Sequence, residues 1–273
     1  MTWKLDCGSY KLFVIEDGFY WRDPETYYAG SSDHDWRFHP RNDQGQARLN
    51  FGCYLITNGD RTIMIDSGIG EMAQEGMTTG LMPQAVDALG IARDSVETVV
   101  YTHMHYDHIG GSRRDGKIVF PKARHLFHAR EWDHWKGVDT DFGEAARRIM
   151  GPLFEADVVD FIDADTELLP GLTAVESFGH TPGHLTVSIV SDGTRTLIGG
   201  DASNHPFQVE HPHWSLPVDN DHELAAMTRD RIFEKIKDTD TTYVAPHYPM
   251  PGVGKIVTDD GVRGYQPGSV PRA

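Results

Sequence analysis

The chain has 273 residues, enough for one large domain or two small ones, and its 39% hydrophobic and 24% charged content is that of a folded protein rather than a disordered one. Lys and Arg number 25 against 41 Asp and Glu, a formal charge of −16, which repels phosphate backbones and excludes nucleic acid as a partner class. No run approaches the roughly 18 apolar residues of a membrane helix, residues 1–6 lack the apolar region of a signal peptide, and Cys7 and Cys53 are too few for a disulfide scaffold, so no membrane association and a reducing cytoplasm are expected.

In chain order, residues 11–19 are apolar and β-rich and read as a strand. Residues 20–50 are turn-like and aromatic, with Tyr20, Trp21, Tyr27, Tyr28, Trp36 and Phe38, and read as a long loop excursion of the kind that carries function. Residues 51–57 and 61–66 are two strands joined by Asn58-Gly59-Asp60, a hairpin signal. A short helix over 83–89, with Pro83 near its start and Gly90 past its end, leads to a buried strand over 96–102. Further on, residues 185–191 and 195–200 flank Asp192-Gly193 as a second hairpin. Asn220 with Glu223 reads as a capping box for a helix presenting Leu224, Thr228, Ile232 and Ile236 on one face, and residues 242–245 form a last buried strand. Each half thus offers a hairpin, a helix and a strand. The expectation is an α/β fold over 1–273 as one domain: two mixed sheets face to face, helices outside, the halves related by a pseudo-two-fold.

The 15 histidines decide the chemistry, because histidine is the commonest metal ligand. His103-Met104-His105-Tyr106-Asp107-His108 follows the predicted strand directly. An extended exit points 103 and 105 the same way, and a tight turn brings 107 and 108 to a neighbouring point, an arrangement suited to two metal ions a few Å apart. Four other strand ends or turns present a ligand beside small residues: Asp66 in Ile65-Asp66-Ser67-Gly68, His180 in Gly179-His180-Thr181-Pro182-Gly183, Asp201 in Gly199-Gly200-Asp201, and His247 in Ala245-Pro246-His247. Each alone has a bland reading as a surface turn; their combination does not.

From Asp66 to His247, the order of these motifs resembles the metallo-β-lactamase-fold hydrolase superfamily. The stretches 200–209 and 246–254 are most similar to its methyl parathion hydrolase and quorum-quenching lactonase branch. The resemblance implies an αβ/βα sandwich with two divalent ions at one edge, zinc first, with Mn, Fe or Co also fitting the donors. It implies that His103, His105 and His180 hold one ion, that Asp107, His108 and His247 hold the other, and that Asp201 bridges them. Asp66 and His184 would support these ligands from behind. A metal-bridging hydroxide would attack a small, largely neutral ester, with Asp107 shuttling the proton. Acyl-homoserine lactonases carry a tyrosine three residues after the bridging aspartate; here Asn204, then His205, stand there as candidate donors to the substrate oxygen. The aromatic excursion is read either as a staple or dimer contact, or as an apolar pocket wall, with Trp21, Trp36 and Phe207 as its candidate residues.

A lactone is the leading substrate class. The alternatives are an organophosphate triester or aryl ester, a thiolester in the manner of glyoxalase II, and, in a different class, a mono-iron redox protein on the same fold.

Overall fold

The computed structural model describes residues 1–273 apart from 29–30 and 73–74. Two seven-stranded mixed sheets dominate it. The first runs, in spatial order, β1 (Thr2–Cys7), β2 (Tyr10–Arg22), β3 (Ala47–Thr57), β4 (Thr62–Ile65), β5 (Thr98–Val100), β8 (Arg124–His128) and β9 (Val159–Ile162). The second runs β10 (Thr166–Leu169), β11 (Leu172–Glu176), β12 (Leu185–Ser191), β13 (Thr194–Ile198), β14 (Thr242–Val244), β15 (Val253–Asp259) and β16 (Val262–Pro267). A two-stranded ribbon, β6 (Arg113–Arg114) and β7 (Lys117–Ile118), lies apart. Hairpins make most neighbours antiparallel, and β4–β5, β5–β8, β8–β9 and β13–β14 are parallel. The helices are α1 (Pro24–Tyr27), α2 (Met82–Ala88), α3 (Tyr106–Ile109), α4 (Ala129–Trp135), α5 (Asp141–Glu155) and α6 (His222–Ile236).

Strand alternation builds the layers. On β3, Tyr54 and Ile56 face the second sheet, meeting Leu185, Val187 and Ile198, while Cys53 and Leu55 face outward to Val86 of α2 and Met150 of α5. The outer face of the second sheet packs Tyr243, Ile256 and Tyr265 on Phe233 and Ile236 of α6. The order is helix, sheet, sheet, helix, the αβ/βα sandwich expected from the motifs. Both cysteines are buried and unpaired, Cys7 between the sheets and Cys53 on the outer face of the first. No helix among the described residues is long and apolar enough to cross a membrane.

Both expected hairpins form. Thr57 pairs with Thr62 across Asn58-Gly59-Asp60, and Ser191 with Thr194 across Asp192 and Gly193, which both adopt positive φ as a two-residue hairpin turn requires. Three expectations need correction. Residues 20–50 are not all loop: β2 extends to Arg22 and pairs back with β3 from Ala47, so Tyr20 and Trp21 are strand residues. The cap of α6 is Asp221, whose side chain accepts from Leu224 N at 3.0 Å, rather than Asn220. One residue of drift also rotates the buried face of α6. Ala225, Thr228, Arg229, Phe233 and Ile236 point inward, whereas Leu224 is exposed.

Candidate metal centre

Five chain segments deliver their side chains to one edge of the sandwich. β4 ends at Ile65 and Asp66 follows with φ +56°. β5 ends at Val100, and the extended exit carries His103 and His105 into α3, whose first turn holds Asp107 and His108. β13 ends at Ile198 before the tight turn bearing Asp201, β14 ends at Val244 before His247, and the turn preceding β12 carries His180. Gly200 makes this approach feasible: at φ +51°, a Cβ there would lie 2.8 Å from His184 Nε2.

Asp201 sits at the middle. Its Oδ2 lies 3.4 Å from His180 Nε2 and 3.9 Å from His103 Nε2. Its Oδ1 lies 3.2 Å from both His108 Nε2 and His247 Nε2. Asp107 Oδ2 is 3.5 Å from His247 Nε2 and 3.8 Å from His108 Nε2, and His105 Nδ1 is 3.1 Å from His180 Nε2. The candidate donors fall into two groups, His103, His105, His180 and Asp201 in one and Asp107, His108 and His247 in the other, each within 4.8 Å. All seven candidates converge, and the two carboxylate oxygens of Asp201 divide between the groups.

The imidazoles are held from behind. His108 Nδ1 donates to Asp66 Oδ2 at 2.8 Å, and Asp66 also accepts from Thr102 N at 2.7 Å and Thr102 Oγ1 at 2.9 Å. His247 Nδ1 donates to the Asn50 carbonyl at 2.7 Å, and His180 Nδ1 to Asp219 Oδ1 at 2.7 Å. His184 Nε2 accepts from Asp201 N at 2.9 Å, and burial pushes this imidazole down to about 3, which keeps it a neutral acceptor. Buried Glu131 joins two loops: it accepts from Met104 N and Trp135 Nε1 through Oε2 and from Gly183 N through Oε1. Asp219, Asn50 and Glu131 were not anticipated, since nothing in their local sequence marks them.

The electrostatics divide the rings into two kinds. Burial and neighbouring histidines push His103 and His105 well below the usual imidazole range. Burial also works against charge on His108, but Asp201, Asp66 and Asp107 outweigh it and hold that ring well above the usual range; His247 is raised, chiefly by Asp201. Burial likewise opposes the Asp201 carboxylate, yet His247 and His108 hold it well below the usual range.

The residues fit a pair of cations. His103 Nε2, His108 Nε2 and Asp201 Oδ1 are buried at the cluster without a hydrogen-bond partner, and such atoms are costly unless something of positive charge takes their lone pairs. The donors are imidazole and carboxylate with no thiolate, a set suited to zinc and its neighbours.

A cavity of about 300 Å³ opens on the cluster, reaching His105, Asp107, Asp201, Asn204 and His247. Its walls include Tyr20, Tyr27, Phe51, Met77, Phe142 and Leu216. Trp21, Trp36 and Phe207 are not part of the lining. Trp21 is turned to the other face of β2 by strand alternation, edge-on to Phe19. Trp36 and Phe207 are buried behind the wall with Tyr28 and Leu49, which staple the excursion to the body. His205 is also displaced from its expected place. Its ring stacks on His39 at 4.3 Å and packs against Trp36 and Phe207, away from the cavity. Asn204 does reach the cavity, but its Nδ2 donates to Asp201 Oδ2 at 2.6 Å, so it steadies the carboxylate.

Residues 53–247 match the family model of the metallo-beta-lactamase superfamily. The N-acyl homoserine lactonase of Bacillus thuringiensis is 24% identical over 205 residues, covering 68% of this chain and 76% of that protein. The metallo-hydrolase mfmC of Annulohypoxylon moriforme is 24% identical over 211 residues, 64% of this chain, and the match spans 53% of that protein, about half its length. Among solved structures, AidC, a dizinc quorum-quenching lactonase, superposes with a TM-score of 0.85 at 21% identity, covering 98% of this chain and 97% of that one, a likeness of fold.

Proposed function

The chain belongs to the metallo-beta-lactamase superfamily of hydrolases, and from that premise we propose that it is a dinuclear lactonase acting on a small, largely neutral cyclic ester. The division of the Asp201 oxygens between two imidazole groups carries this reading. His103, His105 and His180 would hold one ion, Asp107, His108 and His247 the other, and Asp201 both. Two divalent ions, zinc first, supply a water ionised near neutral pH and Lewis-acid polarisation of the scissile carbonyl.

The chain's own residues do the rest. Asp107 is the partly exposed carboxylate of the cluster and faces the cavity, where it can hand a proton to the departing ring oxygen. Asn204 and His184 fix the two ends of Asp201, one at its carboxylate and one at its backbone N–H. The aromatic and aliphatic walls receive an apolar substituent and exclude water from it. Arg22 is the one Lys or Arg of the described lining, so the cavity offers no basic cluster to hold a substrate carboxylate, which favours a neutral ester over a carboxylated thiolester. Two donor groups rather than one favour hydrolysis over mono-iron redox chemistry. The relatives named N-acyl homoserine lactonases support the lactone class. A neutral aryl ester or phosphotriester is the second reading, favoured by two stacked aromatic pairs at the cavity, Tyr20 on Phe51 at 5.3 Å and Tyr106 on Phe142 at 5.2 Å.

Zinc-reconstituted protein assayed on N-acyl homoserine lactones, simple lactones, aryl esters, phosphotriesters and thiolesters tests this. About two ions per chain and highest kcat/KM on a lactone are expected. Two bound ions with turnover confined to thiolesters would refute the lactonase reading.

A further inference from the structure

Arg229 is the largest charged side chain with no solvent exposure, in the middle of α6 and outside the ligand set. Burying a guanidinium is costly unless its donors are filled, and here four of its five N–H groups have an acceptor. Its Nε donates to the Ala202 carbonyl at 2.7 Å and its Nη1 to those of Pro212 at 2.6 Å and Trp214 at 3.1 Å, while its Nη2 lies 3.5 Å from Asp219 Oδ2. Asp219 is itself buried, and its two oxygens do different things. Oδ1 accepts from His180 Nδ1; Oδ2 accepts from Leu216 N at 3.1 Å, closing the turn that Asp219 N completes by donating to the Leu216 carbonyl at 3.0 Å. The residues in that turn, Leu216, Pro217 and Val218, are a wall of the cavity. The backbone beyond it docks on the His180 turn, Asn220 N donating to the His180 carbonyl at 2.8 Å and Asp221 N to that of Gly179 at 3.0 Å.

We propose that Asp219, locked by Arg229, is a positioning residue that couples His180 to the cavity wall at 216–218, so that metal held by His180 orders the wall and a ligand pressing on the wall tightens the metal. One carboxylate serves both, and neither contact can shift without moving the other. Arg229 extends the link to Ala202, the residue after Asp201, so the wall is tied to two of the proposed ligands. Linkage makes the effect reciprocal. The inference rests on His180 being a metal ligand, as in the reading above.

The test uses the full chain, stripped of metal and then loaded with zinc, and reads hydrogen exchange in peptides covering 212–221 together with zinc affinity from chelator competition. In wild-type protein zinc is expected to slow exchange in 212–221. In Asp219→Asn the affinity is expected to fall by roughly 10–100-fold, and the zinc-dependent protection of 212–221 to disappear. Arg229→Lys, which keeps charge but loses the fork, is expected to weaken both partially. Its KM for long-chain substrates should rise more than for short ones at saturating zinc. The wild-type comparison needs no variant to fold. Full zinc uptake with unchanged exchange in 212–221 would overturn the coupling alone. So would wild-type affinity and retained protection in a folded Asp219→Asn. A chain that takes up no zinc would overturn the metallohydrolase reading and the coupling together.

Discussion

At the scale of single residues, charge placement decides more than shape. Asp201→Asn keeps volume but removes the negative charge that faces both imidazole groups at 3.2–3.4 Å. At matched zinc occupancy kcat is expected to fall at least about 100-fold; steady-state rates on metal-quantified protein check this, and near-normal kcat would remove Asp201 from the bridging position. His125, which is not one of the candidate donors, makes a different prediction. It is fully buried, with Tyr101 Oη 2.9 Å from Nδ1, and burial above all pushes it down to about 4. The unfolded chain takes up that proton near 6.5. Stability from this group is therefore complete above about pH 6.5 and drains away as pH falls toward about 4, by about 1.4 kcal/mol per pH unit, or about 2 kcal/mol by pH 5. Urea unfolding at pH 7 and pH 5 should show a smaller loss in His125→Gln than in wild type; equal losses would mean the imidazole titrates normally in the fold.

At the scale of elements, alternation along β2 separates function from scaffolding between adjacent residues. Tyr20 faces the cavity and stacks on Phe51, which meets the His247 ring edge-on at 6.2 Å; Trp21, next in sequence, packs on Phe19 on the opposite face. Losing an aromatic wall forfeits about 1.5–3 kcal/mol of apolar contact. Tyr20→Ala is accordingly expected to raise KM for long-chain or aryl substrates about tenfold or more, and Trp21→Ala to stay within about twofold. KM across an acyl-length series at constant metal content distinguishes them, and the reverse order would reassign the wall. The chain alone shows aromatics crowded at 20–50 but not the strand extension that orients them, because β2 and β3 extend by pairing with each other rather than by any local pattern.

At the scale of the whole molecule, the charge of −16 acts on every approaching substrate. A neutral lactone feels none of it, whereas an anionic ester is repelled over a Debye length that shrinks with salt. Between about 10 and 200 mM NaCl, kcat/KM for a neutral ester is expected to stay flat and that for an anionic ester of equal size to rise. Parallel salt titrations check this; a neutral-substrate rate that climbs with salt would point to screening inside the site rather than steering outside it.

The two hairpins and the histidines and aspartates at strand ends were legible in the chain itself, and the layered α/β architecture and the set of seven converging side chains through the resemblance that their motifs carry. The hairpins and strand ends are written locally, as turn dipeptides, strand runs, or ligand types at strand ends beside glycine. What depends on distance the sequence left open or misplaced. Trp21, Trp36 and Phe207 were legible as either staple or pocket wall and His205 as a donor to substrate, and the fold turned Trp21 to the opposite face of a strand and the other three into the buried staple. Asn50 behind His247, 197 residues away, and Asp219 behind His180, 39 residues away, become visible once the chain is folded. The reason is physical. A ligand's identity is set by its own chemistry and its neighbours in the chain, but the groups that orient it, and the walls beside it, are chosen by which elements pack together. A buried hydrogen bond between such elements leaves no periodic trace in either segment.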